Sequence, residues 1–392
     1  MHIVLYMNLR RKGMKKITSF LIIITLLITN QFGISAAEFI PSNNVKSLLL
    51  MEASSGKIIY EKNSHQSLPP ASVTKIMTML LICEAIEKNQ ISLDTQIVSS
   101  ERAKSMGGST IFLETNEVMS LDDLLKGIAV ASANDACVAV AEHMCGSVES
   151  FVEKMNSRAK ELGMKDTNFV NCNGLDAENH HMSAYDIAIM SRELLKHKMI
   201  EKYTTIWMDT LRNGKFQLAN TNKLIRFYKG ANGLKTGSTD DAGCCISATA
   251  KRDGMQLIAV VMGAENSKQR FNSASELLNY GFANFTATSF GEKGSDVCEV
   301  PVLYGKSNHI VAITQSNTSV LINKQDKDNI KTHLNIPKSL KAPIKKGDII
   351  GEMIITLNGE TLAKSNLSAD RNVKKKGATD YFMYMLRGLL IS

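Results

Sequence analysis

Apolar and polar positions change rhythm several times along the chain, and each change predicts a different element. Ser47–Glu52 and Lys57–Glu61 are apolar-rich runs around Ala53-Ser54-Ser55-Gly56, the pattern of a β-hairpin. Asn63–Ser67 and Pro69-Pro70 then stop the strand. From Ser72 the period lengthens, with Ile76, Met79, Leu80 and Cys83 at helical spacing. Ser120-Leu121-Asp122-Asp123 is a capping box that opens a helix running to about Val130, and Ala136–Met144 predicts the next. Ser132-Ala133-Asn134 lies in the joint between them. Ser183-Ala184-Tyr185-Asp186 caps another helix, ending near His197.

From Leu234 the period falls towards two. Cys244–Ala250 and Met255–Met262, joined by Lys251-Arg252-Asp253-Gly254, predict antiparallel strands about an Asp-Gly turn, and a helix follows over Ser267–Tyr280. Helices, then strands, then a helix predict an α+β domain rather than a βαβ repeat. Beyond residue 289 the texture changes to short strand-like runs between polar turns, such as Val297–Leu303, Ser319–Ile322 and Asp348–Thr356, which predict a small all-β domain.

The two ends differ from the body. Ile17–Ile28 is apolar apart from Thr and Ser, follows the basic stretch through Lys16, and precedes Ser35-Ala36-Ala37, the small-residue pattern of an export signal. The run is shorter than the roughly 20 residues that cross a bilayer. At the other end, Arg371 and Lys374-Lys375-Lys376 precede Tyr381–Ser392, which is apolar or small except for Arg387. Such a segment suits a membrane interface.

Composition and charge adjust this picture only slightly. With 44% hydrophobic and 21% charged residues, the 392-residue chain is globular in composition, not collagen-like or disordered. The net charge of +8 hints at a polyanionic partner. Five of the bases, Arg10, Arg11, Lys12, Lys15 and Lys16, lie in residues 1–37 with no acid, leaving 41 bases against 38 acids elsewhere. A net +3 on that body is no nucleic-acid footprint. The seven cysteines are odd in number and unsuitably placed for pairing. Cys137 and Cys145, eight residues apart on one helix, would be separated by about 12 Å, beyond disulfide reach. Most read as small buried hydrophobes. His180-His181 with Cys172 lacks metal-ligand spacing and reads as loop.

Ser72-Val73-Thr74-Lys75 carries the candidate chemistry. Residues three apart share a helix face, so the lysine amine can sit beside the serine hydroxyl, which needs a base to act as a nucleophile. The lysine serves once burial or neighbours depress its pKa. S-x-x-K recurs by chance in many proteins, but here Ser132-Ala133-Asn134 follows about 60 residues later and Lys235-Thr236-Gly237 about 100 beyond that. This ordered triple is the signature of penicillin-binding proteins and serine β-lactamases.

On these motifs the sequence resembles the serine-type D-alanyl-D-alanine carboxypeptidases, the low-molecular-mass penicillin-binding proteins, and looks most like their sporulating Gram-positive branch. The resemblance extends over Ala71–Thr78, Ser132–Ala136, Asn173-Gly174-Leu175, Ser183–Ala188, Gly233–Thr239 and Val261-Met262-Gly263. It implies a catalytic domain with an antiparallel sheet flanked by helices over residues 38–288. On either side it implies a leader over 1–37, a β-rich domain over 289–372 and a membrane-associating tail over 373–392. The implied reaction removes the terminal D-Ala from peptidoglycan stem pentapeptides, limiting cross-linking, with penicillin and other β-lactams as covalent inhibitors. It also implies roles: Ser72 attacks, Lys75 takes its proton, Ser132 relays a proton to the leaving amine, and Asn134 holds the substrate amide. Lys235, Thr236, Gly237 and Arg270 receive the substrate, and the backbone N–H groups of Ser72 and of a residue near Ser238 or Thr239 form the oxyanion hole. No metal or organic cofactor and no nucleic-acid partner is implied, and the expected location is the outer face of the cytoplasmic membrane or the wall. Two departures matter. Ser238 stands where some relatives have histidine, and no E-x-x-L-N follows, so the carboxylate that activates a deacylating water in class A β-lactamases has no candidate.

Overall fold

The computed structural model describes residues 39, 41–42, 44–380 and 382. The expected leader, and the expected tail from Tyr381 onward apart from Phe382, lie outside the described residues.

Five strands make the central sheet: β1 Ser47–Glu52, β2 Ile58–Lys62, β3 Ala231–Thr239, β4 Gly243–Arg252 and β5 Met255–Ala264. Their order is β2-β1-β5-β4-β3, and every neighbouring pair is antiparallel. The expected hairpins form at β1–β2 and β4–β5. In the second, Asp253 and Gly254 both take positive φ (48° and 79°), as a tight turn between right-twisted strands requires. β1 is buried at every position, which requires cover on both faces of the sheet. Leu49 and Met51 pack with the large helical core, whereas Leu50 and Leu257 meet the helix Ser267–Asn284 at Gly281, where a Cβ would lie 2.5 Å from Leu257.

On the helical side, Ala71–Thr74 forms a 3₁₀ turn that leads into α1, Lys75–Glu87. A helix over Leu121–Lys126 starts where Ser120 Oγ accepts from Asp123 N. It then loosens into a π-turn, Gly127–Ala131, rather than running on as regular helix. α2 covers Asn134–Cys145, two residues earlier than its apolar pattern begins, and α3 covers Ala184–Leu194, capped by Ser183 as expected. α4, Ser267–Asn284, runs one turn past Tyr280. Met77, Met79 and Met190 are core residues with no exposed surface.

Strand Phe285–Ser289 follows α4 directly and pairs with Ser319–Asn323. The remaining β-rich segment is a six-stranded sheet in the order 330–335, 349–357, 360–369, 309–314, 296–303 and 340–341. It carries its own apolar core, including Val300, Ile310, Leu367 and Ala369. Lys324 Nζ donates to Phe282 O at 2.7 Å, and Ser54 and Ser319 hydroxyls lie 3.0 Å apart, so side chains tie this segment to α4 and to the β1–β2 turn. All seven cysteines are free, and Cys83, Cys137, Cys172 and Cys245 are buried. Among the described residues no helix is long and apolar enough to cross a membrane.

Candidate active site

The site lies between the start of α1, the π-turn ahead of α2, and edge strand β3. Ala71 takes a left-handed conformation (φ 49°) immediately before Ser72, and the 3₁₀ turn then places Lys75 one step on. Lys75 Nζ donates to Ser72 Oγ at 2.8 Å, to Asn134 Oδ1 at 2.6 Å and to Asn173 O at 2.6 Å. The amine is wholly buried, and burial pushes its pKa below the usual lysine value, with Cys137, Cys172 and Asp135 pulling the other way. Burial favours the neutral amine and outweighs the three acceptors, which favour the ammonium, and a base beside a serine needs that lowered pKa.

Ser132 is also left-handed (φ 64°), at the end of the π-turn, and this bend turns the chain so that Asn134 opens α2 facing Lys75. Ser132 is buried, and no hydrogen bond joins its Oγ to Ser72 or Lys75. The Asn134 amide is oriented from both ends. Its oxygen accepts from Lys75, its Nδ2 donates to Gly107 O at 2.7 Å, and its backbone N donates to Ser109 O at 2.7 Å.

β3 brings Lys235, Thr236 and Gly237 to the opposite wall. Lys235 Nζ donates to Thr236 O at 3.0 Å, and burial together with the nearby Lys75 holds its pKa well below the usual lysine range. Thr236 Oγ1 donates to Thr221 Oγ1 at 2.7 Å. A Cβ on Gly237 would stand 2.8 Å from Ser72 N and from the Ala71 methyl, so glycine is required for the strand to pass this close to Ser72. Arg270 reaches in from α4: Nη1 donates to Gly237 O at 3.1 Å, Nη2 donates to Ser267 Oγ at 3.0 Å, and the buried Nε has no partner. The structure therefore brings Ser72, Lys75, Asn134, Lys235, Gly237 and Arg270 together, with Thr236 between two of them on β3 and Ser132 placed two residues before Asn134.

Several supporting residues went unassigned from the sequence. Asn173 supplies the third acceptor for Lys75, and Gly174 (φ 87°) passes so close that a Cβ would lie 1.9 Å from Ala71 O. Asn173-Gly174-Leu175 was visible as a motif, without its role. Buried Asp135 accepts from Ile111 N at 3.0 Å, Leu113 N at 3.0 Å and Ala136 N at 2.9 Å, so its carboxylate fixes the 107–113 loop against Asn134. Only its position after Ser132-Ala133-Asn134 could have drawn attention to it. His180 accepts from Val170 N through Nδ1 at 2.9 Å, so Nε2 carries the proton and donates to Thr74 Oγ1 at 2.9 Å. It braces the turn next to Lys75. Among the described residues no cluster of His, Cys, Asp or Glu could hold a metal ion.

Comparison with known proteins matches residues 34–266 to the D-alanyl-D-alanine carboxypeptidase family and residues 285–375 to the penicillin-binding protein 5 C-terminal domain. D-alanyl-D-alanine carboxypeptidase DacF of Bacillus subtilis is 43% identical over 375 residues, covering 93% of this chain and 96% of the relative. The crystal structure of penicillin-binding protein 5 from Haemophilus influenzae is similar with a TM-score of 0.75 at 33% identity, over 86% of this chain and 99% of that one. Penicillin-binding protein D2 of Listeria monocytogenes, solved in its ampicillin-bound form, is 30% identical with a TM-score of 0.56, over 61% of this chain and 97% of that one.

Proposed function

The chain belongs to the D-alanyl-D-alanine carboxypeptidase family, serine hydrolases that are also penicillin-binding proteins, and from that premise we propose how its residues divide the reaction. The substrate is the stem pentapeptide of peptidoglycan, and the reaction releases its terminal D-Ala through an acyl-enzyme. The observation that carries the residue assignment is the 2.8 Å contact between Ser72 Oγ and a buried lysine amine of lowered pKa.

Neutral Lys75 takes the Ser72 proton as Oγ attacks the carbonyl between the two D-alanines. The oxyanion is received by Ser72 N and a backbone N–H near Ser238 or Thr239. When the C–N bond breaks, the proton passes to the leaving amine through Ser132, and free D-Ala departs. Water then adds to the ester, with the same groups returning its proton, and Ser72 is regenerated. Asn134 donates to the substrate amide. Lys235, Thr236 and Arg270 meet the terminal carboxylate, whose charge offsets the cost of burying the two basic groups; the Arg270 contact with Gly237 O supports this assignment.

Penicillin acylates Ser72 in the same way, and deacylation is slow. Asp135, next to Asn134 in the chain, accepts from three backbone N–H groups, which leaves its carboxylate poorly suited to activate a deacylating water. The protein is exported through its leader and rests on the outer face of the cytoplasmic membrane by its tail. The basic run Lys374-Lys375-Lys376 directly before the apolar Tyr381–Ser392 supports this location.

Chain lacking residues 1–37 is expected to release D-Ala from a stem-peptide mimic, and Ser72→Ala to abolish both release and labelling by penicillin. Labelling that survives the substitution would sink the nucleophile assignment.

A further inference from the structure

A groove of about 540 Å³ lies on the far side of Arg270, with Lys223, Phe227 and Tyr228 on one wall and Lys268, Phe271 and Asn272 on the other. The carboxypeptidase reaction uses none of these side chains. Asn222–Lys229 contains Lys223, Arg226 and Lys229 and no acid. Among the described residues neither these three nor Lys268 pairs with a carboxylate, although Lys126, Lys196 and Lys202 on the same molecule do. Phe227 is 72% exposed. Its outward position is fixed by edge contact with Trp207 and by the Arg226 guanidinium, which lies 5.6 Å from the Trp207 ring and 5.7 Å from its own. Uncompensated cations beside a large exposed aromatic mark an interaction surface.

The groove also shares a wall with the catalytic centre. Ser267 lines it, and Ser267 Oγ accepts from the Arg270 guanidinium whose other nitrogen holds Gly237 O. An occupant of the groove is therefore one side chain away from the carboxylate end of the substrate cleft.

We propose that this groove is an accessory binding site for the carboxylate-bearing glycan strand of peptidoglycan, holding the polymer beside the site that trims its stems. The proposal rests on the carboxypeptidase reading above. The lining selects among anionic partners. The exposed Phe227 ring can stack on a sugar ring, whereas the Tyr228 and Phe271 rings already carry the Arg252 and Arg270 guanidiniums; the hydroxyl and amide groups of Ser275 and Asn272 match sugar hydroxyls and N-acetyl groups, and the two lysines answer stem carboxylates. A polymer recognised by phosphate alone would need only the cations. A lipid surface would take Phe227 but has no use for the concave wall with its amide and hydroxyl.

The test uses the full chain and peptidoglycan stripped of its phosphate-bearing polymers. In a Ser72→Ala background, which removes covalent capture, the pair Lys223→Glu with Lys268→Glu is expected to weaken sedimentation with stripped peptidoglycan at least tenfold, and Phe227→Ala severalfold. In the active chain, kcat/KM on stripped peptidoglycan divided by kcat/KM on a soluble pentapeptide should fall about tenfold for the double variant. A parallel fall on both substrates, unchanged sedimentation, binding that requires the phosphate polymers, or transfer of the effect to phosphatidylglycerol vesicles each overturns the assignment. A parent chain that does not hydrolyse the soluble peptide overturns the carboxypeptidase reading instead, so the two failures are distinguishable.

Discussion

In the proposed reaction Lys75 is neutral when Ser72 attacks, and burial is what favours that form, against three acceptors that hold the ammonium. The sign follows directly. Burial favours the uncharged amine, so the fraction able to accept a proton rises as pH climbs through a value below the usual lysine pKa of about 10.4. Acylation by penicillin should therefore speed up with pH and level off earlier than an ordinary lysine allows; stopped-flow rates from pH 6 to 10 check it. Lys75→Arg keeps the charge and the reach but not the ability to lose a proton, and acylation should drop by about 10³ or more. The S-x-x-K spacing revealed this pair from sequence because helix geometry alone brings residues three apart together. The Gly237 requirement was legible only in part. The motif marked the residue, but the 2.8 Å approach to Ser72 N comes from packing strand against turn, which no local pattern encodes.

At the level of elements, the sequence pattern located the helix capped by Ser183 and the hairpin at the Asp253-Gly254 turn, but passed over the amphipathic helix Val148–Glu161, which Ser147 caps. It missed the π-turn at Gly127–Ala131 and could not see the loop contacts, because those depend on hydrogen bonds between segments far apart in the chain. The brace formed by His180 is one of them, and it has a thermodynamic consequence. Burial pushes the His180 pKa down to about 4, against about 6.5 when unfolded. Between those values the unfolded chain binds a proton that the folded one refuses, so stability is full above about pH 6.5 and is lost as pH falls towards about 4. The linkage amounts to roughly 3 kcal/mol from this one residue. Urea unfolding at pH 7 and pH 4.5 should show the loss. His180→Gln, able to accept from Val170 N and donate to Thr74, should be less stable at pH 7 but noticeably flatter between the two. An equally steep variant would mean that the acid sensitivity lies elsewhere.

Over the whole molecule, the charge that first suggested a polyanionic partner is concentrated near the ends, and a nearly neutral body remains. Deleting Tyr381–Ser392 should move the protein from the membrane fraction to the soluble one while leaving penicillin labelling of Ser72 intact; unchanged fractionation would refute the anchor. The change from helices to strands and then to an all-β segment was readable in outline. Their mutual ties through Lys324 and Ser54 were not, since single polar contacts leave no trace in periodicity. One further property belongs to the molecule as a whole. Its seven thiols are all free, and the ones around Lys75, Cys137 and Cys172, are buried, with the Cys137 pKa raised to about 11. No covalent cross-link restrains the fold, so each hidden sulfur can react with an alkylating reagent only during a transient opening. The native cysteines thus act as built-in clocks: their labelling rates report how often each part of the protein breathes, with no foreign probe introduced.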